Sequence, residues 1–245
     1  MKIKKLIAGY FLKQSILICV ITGFVVTLNA QTGTDIYHVE ETSDFDISGK
    51  GNADHWQEAK WLKLSPRKES SYLQTRAKAL YSDSGMYFLF YNQDRKITAT
   101  IQQDFEDLWH EDVVEVFLWT DEDFPIYFEY ELSPLNRELV LLIPNLKGKL
   151  LGWRPWHYET KRLTRHKVWV DSSDAVEKQI HWLAEFFIPY ELLEPLGNVP
   201  PESGTRWRVN LYRVDHDLGR SESWVWQPVE ERFHEYKKFG TFIFE

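Results

Sequence analysis

Residues 113–119, Val-Val-Glu-Val-Phe-Leu-Trp, constrain this chain more than any other segment. Side chains of an extended backbone alternate between faces, so Val114, Val116 and Leu118 share one side and Glu115, Phe117 and Trp119 the other. The run reads as a strand. Its first side is purely apolar and belongs in a core, whereas its second sets a carboxylate among aromatic rings. Just upstream, Asp107-Leu108-Trp109-His110-Glu111-Asp112 forms an acidic turn that places an indole at the lip of that second side. Such a surface suits a flat partner, polar at its edge and apolar on its faces.

Strand-like runs with turn signals between them recur along the chain, at 75–81, 86–92, 126–132, 138–143, 167–171, 180–188, 206–214, 223–226 and 240–244. The first two flank Ser82-Asp83-Ser84-Gly85, a hairpin turn with its glycine late in the loop. Helical periodicity is scarce, with a turn or two at 53–60 and at 190–196. The pattern predicts an all-β chain, an antiparallel β-sandwich of jelly-roll type. Two long loops, 147–165 with Trp153, Trp156, His157 and Tyr158, and 229–238 with Phe233, His234 and Tyr236, either carry function or cover a sheet edge.

Residues 1–30 open with Met1-Lys2-Ile3-Lys4-Lys5, continue in an apolar stretch to Leu28 and end on Ala30. This reads as a secretory signal peptide cut after Ala30, with an uncleaved anchor as the other reading. The apolar segment 16–28 is shorter than the roughly twenty residues a spanning helix needs. The expectation is therefore an exported, periplasmic or extracellular protein in which 31–245 form a single domain. Cys19, the only cysteine, lies inside the leader after Ile18, which is too large for a lipoprotein cut. Disulfides and thiolate chemistry are thus excluded from the mature chain. Losing Lys2, Lys4, Lys5 and Lys13 with the leader takes the net charge from −8 to −12, which argues against nucleic acid and anionic membrane surfaces as partners. All eleven tryptophans follow residue 30, more than a core requires, so some should be displayed.

Parity on neighbouring runs repeats the two-sided pattern. Phe128, Tyr130 and Leu132 oppose Tyr127, Glu129 and Glu131, and Trp207, Val209 and Leu211 oppose Arg208, Asn210 and Tyr212. If these runs neighbour 113–119, one face gathers Glu115, Glu129, Glu131, Arg208, Asn210 and Tyr212 among aromatic rings, where an ordinary solvated face would be richer in Lys, Thr and Ser. Four segments then carry a resemblance in order along the chain: Asp46-Ile47-Ser48-Gly49 with Asp54-His55-Trp56; Ala79-Leu80-Tyr81 with Met86-Tyr87-Phe88-Leu89-Phe90; Trp109 to Phe117; and Phe239-Gly240-Thr241-Phe242-Ile243-Phe244. Together they resemble the family 9 carbohydrate-binding modules.

That resemblance implies non-catalytic binding of a sugar between two aromatics, in support of polysaccharide breakdown or uptake. Trp109 takes the place of the first aromatic and Glu115 that of a hydroxyl-binding carboxylate. The second aromatic falls on Phe233, where better-known members carry tryptophan. Tyr212 matches a polar amide and Glu129 a basic residue, with Arg208 and Asn210 as neighbours. The implied partners are mono-, oligo- or polysaccharides and glycan-degrading enzymes nearby. Physically, an aromatic face attracts the C–H face of a sugar ring, and carboxylates at the rim accept its hydroxyls.

Two other classes remain open. A glycosidase needs paired carboxyls about 5 Å or about 6.5–9.5 Å apart, for which Glu115 with Glu129 or Glu131 would serve, although no Gly-x-Ser-x-Gly elbow accompanies them. A haem-binding sandwich of an electron-transfer protein needs axial ligands. Met86, the one methionine after the leader, reads as core, and the eight histidines show no metal spacing. No cofactor is expected. Calcium could be held by Asp121-Glu122-Asp123 or by Asp104, Glu106 and Asp107, the alternative being solvated acidic turns.

Overall fold

A computed structural model describes residues 35–68, 71–171 and 180–245; the leader lies outside them. The described chain is all-β, with fourteen strands. These are β1 (Ile36–Glu41), β2 (Leu62–Pro66), β3 (Thr75–Tyr81), β4 (Gly85–Asp94), β5 (Val113–Trp119), β6 (Ile126–Leu132), β7 (Glu138–Leu146), β8 (Lys149–Leu150), β9 (Arg154–Pro155), β10 (Arg165–Asp171), β11 (Ile180–Pro189), β12 (Arg206–Asp215), β13 (Glu222–Val225) and β14 (Gly240–Phe244). One four-residue helix, α1 (Tyr190–Leu193), and short 3₁₀ turns supply what helix there is among the described residues.

Two arms of strands face each other. One runs β3-β4-β11-β10, the other β14-β12-β5-β6-β7. Their inward rows are those that alternation selects: Val114, Val116 and Leu118, Phe128, Tyr130 and Leu132, and Trp207, Val209 and Leu211 from the second arm meet Ala77, Ala79, Phe88, Phe90, Ala184, Phe186 and Ile188 from the first in one core. Tyr130 and Phe186 touch across it, ring centroids 4.7 Å apart. Met86 is fully buried in the same core.

The sandwich expectation is met only in part, because the arms are not separate sheets. β1 pairs in parallel with both β14 and β3, and β2 pairs with β3 and β13, so β1, β14, β12, β13, β2 and β3 close a hydrogen-bonded ring of six strands. The expected wholly antiparallel arrangement is corrected at β1. Closure satisfies backbone groups that open edges would expose.

The opening motif has a structural meaning. Glu185, on β11 and 0 % exposed, accepts the backbone N–H groups of Ser48 (3.0 Å), Gly49 (2.7 Å) and Gly51 (3.2 Å) through Oε2, while Trp56 Nε1 donates to Oε1 at 2.8 Å. Gly49 and Gly51 have φ of +84° and +59°, values that turn the loop's N–H groups inward and that side chains resist. A buried carboxylate is thereby fully engaged.

Candidate functional site

The outer face of the β12-β5-β6-β7 arm, set apart by the same alternation, is buried as well. Phe117, Tyr127, Leu139, Leu141, Tyr212 and Val214 form a second apolar cluster there, closed over by Leu108 from one loop and by Val229, Tyr236 and Phe239 from another. Between these coverings a cavity of about 380 Å³ remains, within the size range of small-molecule sites. Its walls include Trp109, Trp153, Phe233 and Arg67, and its floor is Glu115, Glu129 and Glu131.

Trp109 is positioned by the acidic turn around it. The turn at Leu108–His110 buries Leu108 in the second cluster and leaves Trp109 partly buried against it. Asp112 accepts the backbone N–H groups of Thr98 and of His216 (2.8 Å), and Glu111 accepts those of Thr100 and Ile101. The carboxylates of this turn therefore staple the preceding loop beneath the indole. Burial pushes Asp112 up to about 7. Trp153, from the loop before β9, meets Trp109 edge-on at 6.0 Å.

Phe233 is held from below and behind. Its ring stacks on Tyr212 at 4.1 Å and 9°, and its carbonyl accepts the Tyr212 hydroxyl at 2.7 Å. Glu235 accepts the N–H groups of Glu230 (3.1 Å), Glu231 (2.6 Å) and Arg232 (3.1 Å), which turns the loop toward the cavity. The Arg67 guanidinium lies 5.8 Å from the Phe233 ring centre and donates to the Glu230 carbonyl at 2.7 Å.

On the floor, Glu115 and Glu131 are register partners on β5 and β6, and Glu129 follows two residues before Glu131 on the same face. Their exposures are 3 %, 0 % and 4 % for Glu115, Glu131 and Glu129. Both carboxyl oxygens of Glu131 and Oε2 of Glu129 are buried without a donor from outside the floor, and the Glu129 and Glu131 carboxyls are partners of each other. Burial, and then the neighbouring carboxylates, push Glu115 and Glu131 far above the ordinary range, and burial pushes Glu129 up to about 8. His234 contacts the Tyr127 hydroxyl at 2.6 Å and lies 3.8 Å from Glu129. Burial lowers this imidazole to about 4, so it is neutral at pH 7 and does not offset the acids.

A pH dependence of stability follows. Acids with native values above the unfolded value of 4.5 hold more protons when folded, so stability falls as pH rises from about 4.5 through 8. Glu131→Gln mimics the protonated form. It is expected to melt close to wild type at pH 5 and above it at pH 8; equal melting temperatures at pH 8 would contradict a buried acidic floor.

Of the seven residues expected at the site, Trp109, Glu115, Glu129 and Phe233 come together at the cavity, and Arg208, Asn210 and Tyr212 do not reach its wall. Asn210 spends its amide on Tyr212 Oη (2.7 Å) and the Gln227 carbonyl (3.1 Å), and its oxygen accepts Leu211 N and Gln227 N. Tyr212 is engaged as donor and acceptor. Arg208 donates to Phe239 and Lys237 carbonyls and to Thr241. These three anchor the covering loop. Alternation had not indicated Arg67, His216, Ser221 and Ser223 at the wall. Trp153 carried a signal only as an aromatic in an irregular loop. Away from the cavity, the described carboxylates that gather closely enough to hold a cation are Asp94, Asp215 and Asp217, not the acidic turns at 104–107 and 121–123. Arg213 already donates to Asp94 (3.0 Å) and Asp215 (2.8 Å) there.

The chain is an all-β fold with an aromatic-walled cavity on the outer face of its second arm. Residues 47–140 match the carbohydrate family 9 binding domain-like family, which bears out the resemblance read from the opening motif and from Trp109 to Phe117. Tyr212 and Phe233 lie beyond the matched residues. The chain is similar in structure to a "putative carbohydrate-binding protein" of Bacteroides uniformis (TM-score 0.70, 16% identity, 86% of this chain and 99% of that one). It is also similar to a family 9 module of Caldicellulosiruptor kristjanssonii in complex with cellotriose (TM-score 0.60, 15% identity, 86% and 93% covered) and in complex with glucose (TM-score 0.58, 14% identity, 86% and 95% covered). At these identities the likeness is one of fold. No curated protein matches the sequence.

Proposed function

We propose that this chain is a non-catalytic carbohydrate-binding module that takes a sugar into the cavity between Trp109, Trp153 and Phe233. The observation that carries the proposal is a cavity of about 380 Å³ with aromatic walls above a carboxyl floor. The rings shed apolar surface onto the C–H face of a pyranose, and the floor accepts its polar groups. The family match over 47–140 and the saccharides held by similar structures support the same class. The two arms act as a jelly-roll-like sandwich that holds the floor rigid. In this reading residues 1–30 are a secretory leader, 31–245 form one binding domain, and the protein serves glycan breakdown or uptake in the periplasm or outside the cell.

Hydrolysis would need two carboxyls across the scissile bond; the family match and the saccharide-bound similar structures favour binding without it. Release of reducing sugar from glucan or xylan by the purified protein, abolished in Glu115→Gln, would reverse this conclusion.

Trp109→Ala tests the site. Central aromatic anchors contribute on the order of 2 kcal/mol or more to binding, so calorimetric titration with glucose, cellotriose and glucosamine should show affinity falling about thirtyfold or below detection. The melting temperature should fall far less than for a fully buried tryptophan, because the indole is only partly buried. Unchanged affinity would place binding elsewhere.

A further inference from the structure

We propose that the sugar taken by this cavity carries a free, protonated amine, which docks on the Glu115–Glu129–Glu131 floor. The proposal rests on the carbohydrate-binding reading and names the ligand class within it. Its starting point is the contrast between two buried carboxylate settings in one protein. Glu185 is as deeply buried as Glu131, and the chain meets it with three backbone N–H groups and an indole N–H. Glu131 lines a cavity and is 0 % exposed, and no donor outside the floor meets either of its oxygens; its one side-chain partner is the neighbouring Glu129 carboxyl. Buried acceptors left open are costly, and where they face a cavity the missing donors are those of a ligand.

The number and kind of missing donors identify the ligand. A hydroxyl brings one donor and two acceptor lone pairs and no charge, so a neutral sugar leaves the acids of the floor protonated, as burial holds them, whereas a cation placed among them favours their ionised, accepting form. An ammonium brings three donors, no acceptor and a positive charge. Register supplies the geometry: Glu115 faces Glu131 across the strands and Glu129 lies diagonally from Glu115, so the three carboxyls share one patch of the face. The groups around that patch do not supply the charge. His234 is neutral at pH 7, Arg67 stands at the wall over Phe233, and the Tyr212 hydroxyl is committed to the Phe233 carbonyl. With the amine on the floor, the ring stands between the aromatic walls and its hydroxyls meet Ser221, Ser223 and Arg67, the donors of the wall. A uronic acid or sulfated sugar is disfavoured by the same floor.

The test is calorimetric titration of the full chain at about pH 6, where the amine is protonated, with glucosamine, N-acetylglucosamine, glucose and glucuronate. Glucosamine is expected to bind about tenfold or more tightly than glucose and N-acetylglucosamine, in proportion to a charge-assisted contact, and glucuronate weakest. Glu131→Gln should bring the affinity for glucosamine close to that for glucose measured on the same variant. Glucose binding as tightly as glucosamine, or the preference surviving in Glu131→Gln, overturns the amine proposal and leaves carbohydrate binding standing. No binding of any of the sugars, or of cellotriose, overturns both. Calcium raising the melting temperature of wild type but not of Glu131→Gln would assign the floor to a metal and overturn the amine as well.

Discussion

Arg213→Leu is expected to cost about 3–5 kcal/mol of folding stability, the range for removing one partner of a buried ion pair. Arg213 shares the inward face of β12 with Trp207, Val209 and Leu211, at the end of the core where the two arms are stitched together. Its side chain is 0 % exposed, as are those of Asp94 on β4 and Asp215, which it contacts at 3.0 and 2.8 Å. It also reaches Thr75 on β3 at 3.2 Å and lies 4.6 Å from the Trp224 ring centre on β13. One guanidinium thus ties four strands of the fold. Removing it strands two carboxylates in a setting that water cannot relieve. Burial already raises both acids above 3.8, with Arg213 opposing the rise; without it they rise further. Acids raised in the native state retain protons there, so the variant's deficit should grow as pH rises from about 4 toward 7. Urea midpoints at pH 5 and pH 7 measure this. Asp94→Asn with Asp215→Asn in the same background should recover part of the loss, since it removes the orphaned charges. A midpoint unchanged at both pH values would mean that the cluster does not join the arms.

What alternation could and could not reveal follows from the range of the forces involved. β5, β6 and β14 run over the residues that period two selects, because each buries one face in the core and that burial is written locally. β1 was missed although Tyr37 and Val39 are buried, since its flanking glutamates dilute the pattern and its partners β3 and β14 are remote in sequence. β2, with Leu62 and Leu64 inward, is cut short by Pro66. Ring closure depends on these two strands, so a plain antiparallel sandwich was the natural expectation. At the site, alternation placed Glu115, Glu129 and Glu131 on one face correctly. It could not tell an open face from a roofed one. The loop at 226–239 lies over Asn210 and Tyr212 and consumes their hydrogen bonds, leaving a cavity only over the glutamates. Arg67, His216 and Ser221 stand outside any regular strand, and Ser223 faces the cavity from the short β13, so no clear period marks them.

The two sides of the second arm should separate in experiment, and Trp207→Ala gives the larger signal. Trp207 is 0 % exposed, meets Phe244 edge-on at 4.8 Å, and donates its indole N–H to the Asn198 carbonyl at 3.1 Å. Truncating a buried tryptophan loses its transfer energy, leaves a cavity the strands cannot close, and costs about 3–5 kcal/mol. The Asn198 carbonyl is left without that donor as well. Trp109→Ala, on the opposite side, removes an indole that is only partly buried on the second cluster and packs edge-on against Trp153, so its cost falls mainly on the ligand. The expected pattern is a large drop in denaturant midpoint with saccharide affinity retained at low temperature for Trp207→Ala, and the reverse for Trp109→Ala. Trp207→Phe should recover much of the packing while still lacking the bond to Asn198, and so melt between wild type and the alanine variant. The fold ties these outcomes together: the strands that bury Trp207 inward hold Glu115, Glu129 and Glu131 outward by the same alternation. If Trp207→Ala instead left stability intact, the inward and outward faces of the arm would be exchanged, and the glutamate floor could not lie where the cavity requires it.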